Sequence, residues 1–121
     1  MSIPLIKGTR VLVTAGASGI GLRIAEVFAE AGASILICDS SDSMLNSCQK
    51  DHPDWLYVKC NVSDEGDVTK LFNVTRERLG GLDILVNNAG IAGPTGGIDE
   101  LSSERWLETV NINLNGQVYC A

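Results

Sequence analysis

The chain has a single histidine, His52, and its four cysteines show no C-x-x-C spacing, so the clustered ligands of a structural zinc site are missing and no metal is expected. Cys38, Cys48, Cys60 and Cys120 are expected to be reduced, with Cys38 and Cys60 buried in strands as small apolar residues. His52, within Lys50-Asp51-His52-Pro53, is expected in an exposed turn. Basic charge is scarce as well. Nine Lys and Arg against fifteen Asp and Glu leave a net charge of -6, which argues against nucleic acid or an anionic membrane surface as the main partner. No apolar run approaches membrane-spanning length, and Lys7 and Gly8 interrupt the opening residues. Neither a span nor a secretion signal is expected, a cytoplasmic location follows as an expectation, and the sequons at Asn61 and Asn73 become chance matches. There is no internal repeat, linker or low-complexity tract. What is present is a chain of 121 residues, 45% apolar and 20% charged, which suits one domain with a substantial core.

Four strands are expected, at 10–14, 35–38 running into Asp39, 55–60 and 82–87, each a short apolar run as in a parallel strand buried on both faces. Helical patterns alternate with them. The first begins at Ile20, carries Ile20, Ile24, Val27, Phe28 and Ala31 inward, and stops at Gly32. A second, over 43–50, turns Met44, Leu45 and Cys48 inward, and a third follows Asp64 and Glu65 with Val68, Leu71, Phe72, Thr75 and Leu79 as its stripe. Residues 90–97 form a glycine-rich loop. The last helix starts near Ser102 or Ser103 and sets Trp106, Val110, Leu114 and Val118 on one side. Strands alternating with helices imply an α/β fold, a Rossmann-type doubly wound parallel sheet in the order 3-2-1-4. Its ligand crevice falls at the switch point between strands one and four, beyond the carboxyl ends of the strands.

Two stretches meet at that crevice. Val13-Thr14-Ala15-Gly16-Ala17-Ser18-Gly19-Ile20-Gly21 joins a strand to a helix through a glycine turn, an arrangement that holds a pyrophosphate on backbone N-H groups and the positive end of the helix dipole. Ala15 is acceptable there if its φ stays negative, and Ser18 adds a hydroxyl near the phosphates. Asp39, at the end of the second strand, is placed to accept hydrogen bonds from both adenosine ribose hydroxyls and to repel a 2'-phosphate. Asn87-Asn88-Ala89-Gly90 closes the fourth strand beside the turn.

Read together, the glycine turn, Asp39 and Asn87-Asn88-Ala89-Gly90 resemble the short-chain dehydrogenase/reductase family over essentially the whole chain. One departure is Ala15, which stands where the family has its first glycine. The resemblance implies NAD as cofactor, held by Gly16, Ser18, Gly19, Ile20, Gly21, Asp39, Asn61, Val62, Asn88, Ala89 and Gly90. Ser18 and Ser40 occupy positions where NADP-preferring members carry a basic residue. Asn61 replaces the family's aspartate at the adenine amino edge, and its carbonyl oxygen can accept the same bond. Thr14 is implied as the hydrogen-bonding partner of the Asn-Asn-Ala-Gly stretch. Asn113, in the run from Trp106 to Gly116, is implied to hold a water of the proton relay, with helix packing or bending as its alternative.

The family's catalytic centre, a serine followed by Tyr-x-x-x-Lys, has no counterpart in this sequence. Its tyrosines are Tyr57 and Tyr119, and neither has a lysine four residues on. Residues 1–121 are therefore read as the amino-terminal, cofactor-binding portion of a longer domain, able to bind but not to catalyse. The parent activity implied is NAD-dependent hydride transfer between a secondary alcohol or ketone and the nicotinamide, on a small-molecule substrate. The complete protein is expected to be a homo-oligomer with a subunit contact on the last helix. A free-standing, non-catalytic dinucleotide-binding module is the competing reading, and a truncated product without independent function is a third.

Overall fold

A computed structural model describes residues 7–121; the opening residues 1–6 lie outside the described part. The strands are β1 (Arg10–Thr14), β2 (Ser34–Asp39), β3 (Leu56–Lys59) and β4 (Ile84–Val86), all parallel and in the order β3-β2-β1-β4. Val11, Leu12 and Val13 pair with β2 on one side and β4 on the other, so β1 is the centre of the sheet and these three side chains are fully buried. The order and the strand positions are those expected from the sequence. β3 and β4 are shorter than the runs 55–60 and 82–87.

Between the strands run α1 (Gly19–Glu30), α2 (Asp42–Asp51) and α3 (Glu65–Val74), the last continued by a π-helical turn, Thr75–Leu79. Ser41 caps α2 by accepting from the Met44 N-H, and Asp64 caps α3 by accepting from Asp67. After β4, α4 (Ser103–Val110), a second π-helical turn (Asn111–Asn115) and α5 (Gly116–Cys120) follow in succession. One apolar layer joins β1 and β2 to α1 and α2 through Val11, Val13, Ala25, Ile35, Ile37 and Leu45. The other face carries Leu12, Leu36, Cys38, Val68, Leu71 and Cys120 against α3 and α5. Both faces of the sheet are thus covered, which is why its strands read as continuous apolar runs.

Three expectations about facing residues fail. α1 sets Gly21 and Ala25 against the sheet, leaving Ile20 77% and Val27 50% exposed and Ala31 at the surface. Small residues carry the close helix-to-sheet approach, and of the expected stripe Phe28 packs against this layer while Ile20, Val27 and Ala31 face outward. Met44 on α2 is likewise exposed, with Leu45 and Cys48 inward as expected. His52 is half-buried, stacked on Trp55 at 3.8 Å between ring centroids, with Nε2 3.4 Å from Glu26 of α1. Tyr57 donates its hydroxyl to the His52 carbonyl at 2.6 Å, which fixes the turn that the sequence leaves open. All four cysteines are free and buried.

Trp106, Leu114 and Val118 share a side of the last helical stretch, and all are exposed. Ile84, Leu85 and Val86 are half-buried, and among the described residues no strand pairs with the outer edge of β4. No helix of the described residues is long and apolar enough to cross a membrane.

The start of β1 is locked to the start of β4 by charge. Arg10 donates from its backbone N-H and Nε to one Asp83 oxygen and from Nη2 to the other, while Nη1 reaches the Gly80 carbonyl at 2.7 Å. The side-chain hydrogen bonds from Arg10, helped by its backbone N-H, hold the Asp83 carboxyl down at about 2. A depressed carboxylate stabilises the fold above its unfolded value and loses that contribution as pH falls through the folded one. Wild type and Asp83→Asn should therefore differ in urea midpoint at neutral pH and converge as pH falls from about 4 toward 2. A gap that stays constant over that window would assign the lock to packing instead of charge.

Candidate dinucleotide site

Each residue of the glycine turn has its own geometric reason. Gly16 donates its N-H to the Cys38 carbonyl at 3.2 Å, and a Cβ on it would lie 2.7 Å from Ile37 Cδ1 and 2.9 Å from the Val13 carbonyl oxygen. Gly19 has φ +57, a left-handed conformation that glycine adopts at little cost. Gly21 is hemmed in from two sides, since a Cβ would meet the Ala15 oxygen and Asn88 Nδ2, each at 2.6 Å. Ala15 departs from expectation: its φ is +50, not negative. The turn dictates the left-handed backbone there, and alanine tolerates it at a cost of about 1 to 2 kcal/mol. Ser18 precedes α1 without capping it, so its exposed hydroxyl makes no cap bond to the helix. The first N-H groups of α1, from Gly19, Ile20 and Gly21, have no preceding helical turn to bond and open at the same end.

Thr14 fastens this turn to the end of β4. Its buried hydroxyl accepts from the Asn88 and Ala89 N-H groups, both at 2.9 Å, and lies 3.4 Å from the Val86 carbonyl. Asn88 returns the bond through Nδ2 to the carbonyls of Thr14 and Ala15, at 3.2 and 3.3 Å. Asn88 thus shapes the turn from behind, while Asn87 reaches the Gln117 carbonyl on α5. Thr14→Val keeps the shape and removes the acceptor. The Asn88 N-H retains the Val86 carbonyl at 3.0 Å, so the loss falls mainly on the buried Ala89 N-H, worth about 1 to 3 kcal/mol. Urea unfolding should show that loss for Thr14→Val and much less for Thr14→Ser; a larger loss for Thr14→Ser than for Thr14→Val would make the methyl, not the hydroxyl, responsible.

Beyond the strand ends lies a small pocket of about 100 Å³, lined among others by Ala15, Asp39, Asn61, Val62, Ala89 and Gly90. The fold therefore brings together five of the expected cofactor residues, Asp39, Asn61, Val62, Ala89 and Gly90, with Ala15 of the turn and Ser40, and adds Cys60, Ile91 and Ile112, whose place in the pocket sequence reasoning missed. Cys60 stands directly after β3, at a strand end that such folds use, and that position is the signal that could have found it. The Asp39 carboxylate accepts the Ser41 N-H on one oxygen at 3.0 Å and the Ala17 N-H on the other at 3.3 Å. It is held in place between the glycine turn and the start of α2, with lone pairs left for further donors. Asn61 differs from its expected use. Its carbonyl oxygen already accepts from the Ser63 N-H at 3.0 Å and hydroxyl at 2.7 Å, leaving the Nδ2 hydrogens as its spare group. Val62 is buried under Gly116, where a Cβ would meet its Cγ2 at 2.8 Å.

Asn113 sits in the second π-helical turn, where Gly116 bonds back five residues to the Asn111 carbonyl. Its side chain grips Ile91 at two points, accepting from the N-H and donating to the carbonyl, both at 2.8 Å. That clamp fixes the loop that leaves Gly90. Among the described residues no group of three or more His, Cys, Asp or Glu is placed to hold a metal ion.

The parallel sheet, the glycine turn and the carboxylate at the end of β2 define a doubly wound, dinucleotide-binding type of domain. The model of the short chain dehydrogenase family matches residues 9–121, and the chain belongs to that family. It is 36% identical over 109 residues to an L-fucose dehydrogenase of Bos taurus, covering 90% of this chain and 40% of that one. It is also 36% identical over 114 residues to an NADP-dependent (R)-specific alcohol dehydrogenase of Lentilactobacillus kefiri, covering 92% and 45%. The crystal structure of a short chain dehydrogenase from Mycobacterium smegmatis superposes with a TM-score of 0.88 at 32% identity, over 94% of this chain and 49% of that one. The chain spans less than half the length of these curated relatives.

Proposed function

We propose that these residues are the cofactor-binding portion of an NAD-dependent oxidoreductase that interconverts a secondary alcohol and a ketone. The observation that carries the reading is Asp39, held by two backbone N-H groups at the mouth of the pocket beside the glycine turn. The cradle fits a dinucleotide: Gly16, Gly19 and Gly21 leave room at the turn, and the α1 N-terminus faces it with unpaired donors. In this proposal Asp39 accepts both adenosine ribose hydroxyls, Ser18 and the N-H groups of Ile20 and Gly21 hold the pyrophosphate, and Val62 and the Asn61 Nδ2 border the adenine. Ala89 and Gly90 line the way toward the nicotinamide, with Asn88 bracing the turn. When bound, the nicotinamide supplies the hydride acceptor or donor.

The relatives include both an L-fucose dehydrogenase and an NADP-dependent alcohol dehydrogenase, so the choice of NAD rests on Asp39. Residues 1–121 are proposed to be part of a longer domain. The open edge of β4, with three consecutive apolar residues, suits a strand flanked on both sides. Further strands there would bring the tyrosine and lysine of the proton transfer.

Asn113 is proposed as a positioning residue, fixing the loop at Ile91 and offering its remaining Nδ2 hydrogen to a water of the proton relay. In the protein carrying its full catalytic centre, Asn113→Ala should lower turnover at least about tenfold, within the usual range for a disturbed proton transfer. NADH affinity should change little. Unchanged turnover would refute the role, and a loss confined to thermal stability would reduce Asn113 to a packing group.

A further inference from the structure

Most polar groups around the pocket at the strand ends are bonded within the protein. The Cys60 N-H donates to the Asp39 carbonyl, the Ala89 N-H to Thr14, and Asn113 holds both the N-H and the carbonyl of Ile91. Asn61 is engaged at three of its four groups. Its backbone N-H donates to the Asp67 carboxylate at 3.1 Å, its backbone carbonyl accepts from the Asp64 N-H at 3.0 Å, and its side-chain oxygen takes both the N-H and the hydroxyl of Ser63. A backbone N-H can only donate, so the atom that Ser63 meets is the amide oxygen, and Nδ2 is the atom left over. Val62 follows directly and lines the same pocket, and its N-H has no partner among the described residues. Its carbonyl oxygen faces Gly116 instead, 3.0 Å from where a Cβ would stand. Two consecutive residues at the end of β3 thus offer donors to a ligand and no acceptor.

We propose that Asn61 and Val62 select the base of the bound dinucleotide, and that this pair of donors takes a 6-oxo purine such as hypoxanthine in preference to adenine. The inference rests on the proposed function and adds to it the class of base. A 6-oxo purine carries two adjacent acceptors, O6 and N7, the edge that a pair of donors reads on guanine, whereas adenine sets an amino donor beside its N7. Hypoxanthine therefore satisfies the Asn61 Nδ2 and the Val62 N-H together. Adenine satisfies one and turns its own N-H groups toward the other, which leaves a donor against a donor. The rest of the pocket does not oppose this choice. Val62, Ala89 and Ile112 are apolar walls that fit either ring, the Ser40 hydroxyl can donate or accept, and the contact of Asp39 with the ribose is the same for both. The polarity at Asn61 is what decides, because an aspartate there would keep the acceptor for Ser63 and place a second oxygen where Nδ2 stands.

The test is calorimetric titration with NADH and with reduced nicotinamide hypoxanthine dinucleotide, on the wild type, Asn61→Asp and Asn61→Ala, each checked for folding by its urea midpoint. The wild type should bind the hypoxanthine dinucleotide at least about threefold more tightly, the scale of one hydrogen bond at an exposed side chain. Asn61→Asp should reverse the order. The ratio of the two affinities is the quantity to read, since repulsion between a new carboxylate and the phosphates weakens both ligands alike. Asn61→Ala should bring the two affinities within about twofold of each other, and it decides the matter if Asn61→Asp does not fold. Tighter binding of NADH by the wild type, or a ratio that is the same in every folded protein, would overturn the base selection and leave the dinucleotide reading standing. Binding of neither dinucleotide by the folded wild type would overturn both.

Discussion

Gly21→Ala is expected to lower stability by about 1 to 2 kcal/mol and NADH affinity by more than about tenfold. An added methyl would sit 2.6 Å from the Ala15 carbonyl oxygen and 2.6 Å from Asn88 Nδ2. One neighbour is backbone, and the other is a side chain bonded to that same backbone at 3.3 Å, so neither has room to withdraw. Overpacking of this kind costs about 1 to 3 kcal/mol. Alanine's better helix propensity returns at most about 1 kcal/mol, which leaves the net sign destabilising. Relief must come from the Ala15 turn, and the turn is the part proposed to meet the pyrophosphate. The urea midpoint with an unchanged slope measures the first effect, and a fluorescence titration with NADH the second. A variant that is more stable and binds NADH normally would mean the turn is not held as described.

NADH should bind about tenfold to a hundredfold more tightly than NADPH. A 2'-phosphate oxygen about 4 Å from the Asp39 carboxylate meets roughly 4 kcal/mol of repulsion at an effective dielectric near 20, reduced by solvent and salt at this half-exposed position. Neighbouring Ser40 and Ser41 bring no positive charge to offset it. Asp39→Asn is the informative substitution, because it removes the charge and keeps an acceptor for the Ala17 or Ser41 N-H. The preference for NADH should shrink at least about tenfold, mostly through tighter NADPH binding. Equal affinities in the wild type, or a preference unmoved by Asp39→Asn, would remove Asp39 from the cofactor argument.

The layered sheet was legible because Val11–Val13 and Ile35–Cys38 are apolar on both faces, and consecutive parallel strands joined by right-handed crossovers leave few possible orders. Asp39 was legible for the same reason, since the end of a strand fixes where its next side chain stands. Facing residues of α1 were not. Periodicity reports where hydrophobicity lies, whereas Gly21 and Ala25 reach the sheet by being small. Ala15 was misjudged because its φ is set by the closing bonds of the turn, from Asn88 across 73 residues, and no local propensity records them. Asn113 shows the same limit. Its place on the helix could be counted, but its two bonds to Ile91, 22 residues earlier, depend on how the loop docks. For Asn61, the nearby Ser63 was visible and its claim on the carbonyl oxygen was not weighed.

The most direct measurement is a crystal structure of the protein grown with NADH. The account predicts the adenosine ribose hydroxyls within hydrogen-bond distance of Asp39, the adenine between Val62 and Asn61, and the pyrophosphate on the N-H groups that open α1. A dinucleotide bound away from the glycine turn, or a ribose with no contact to Asp39, would contradict it.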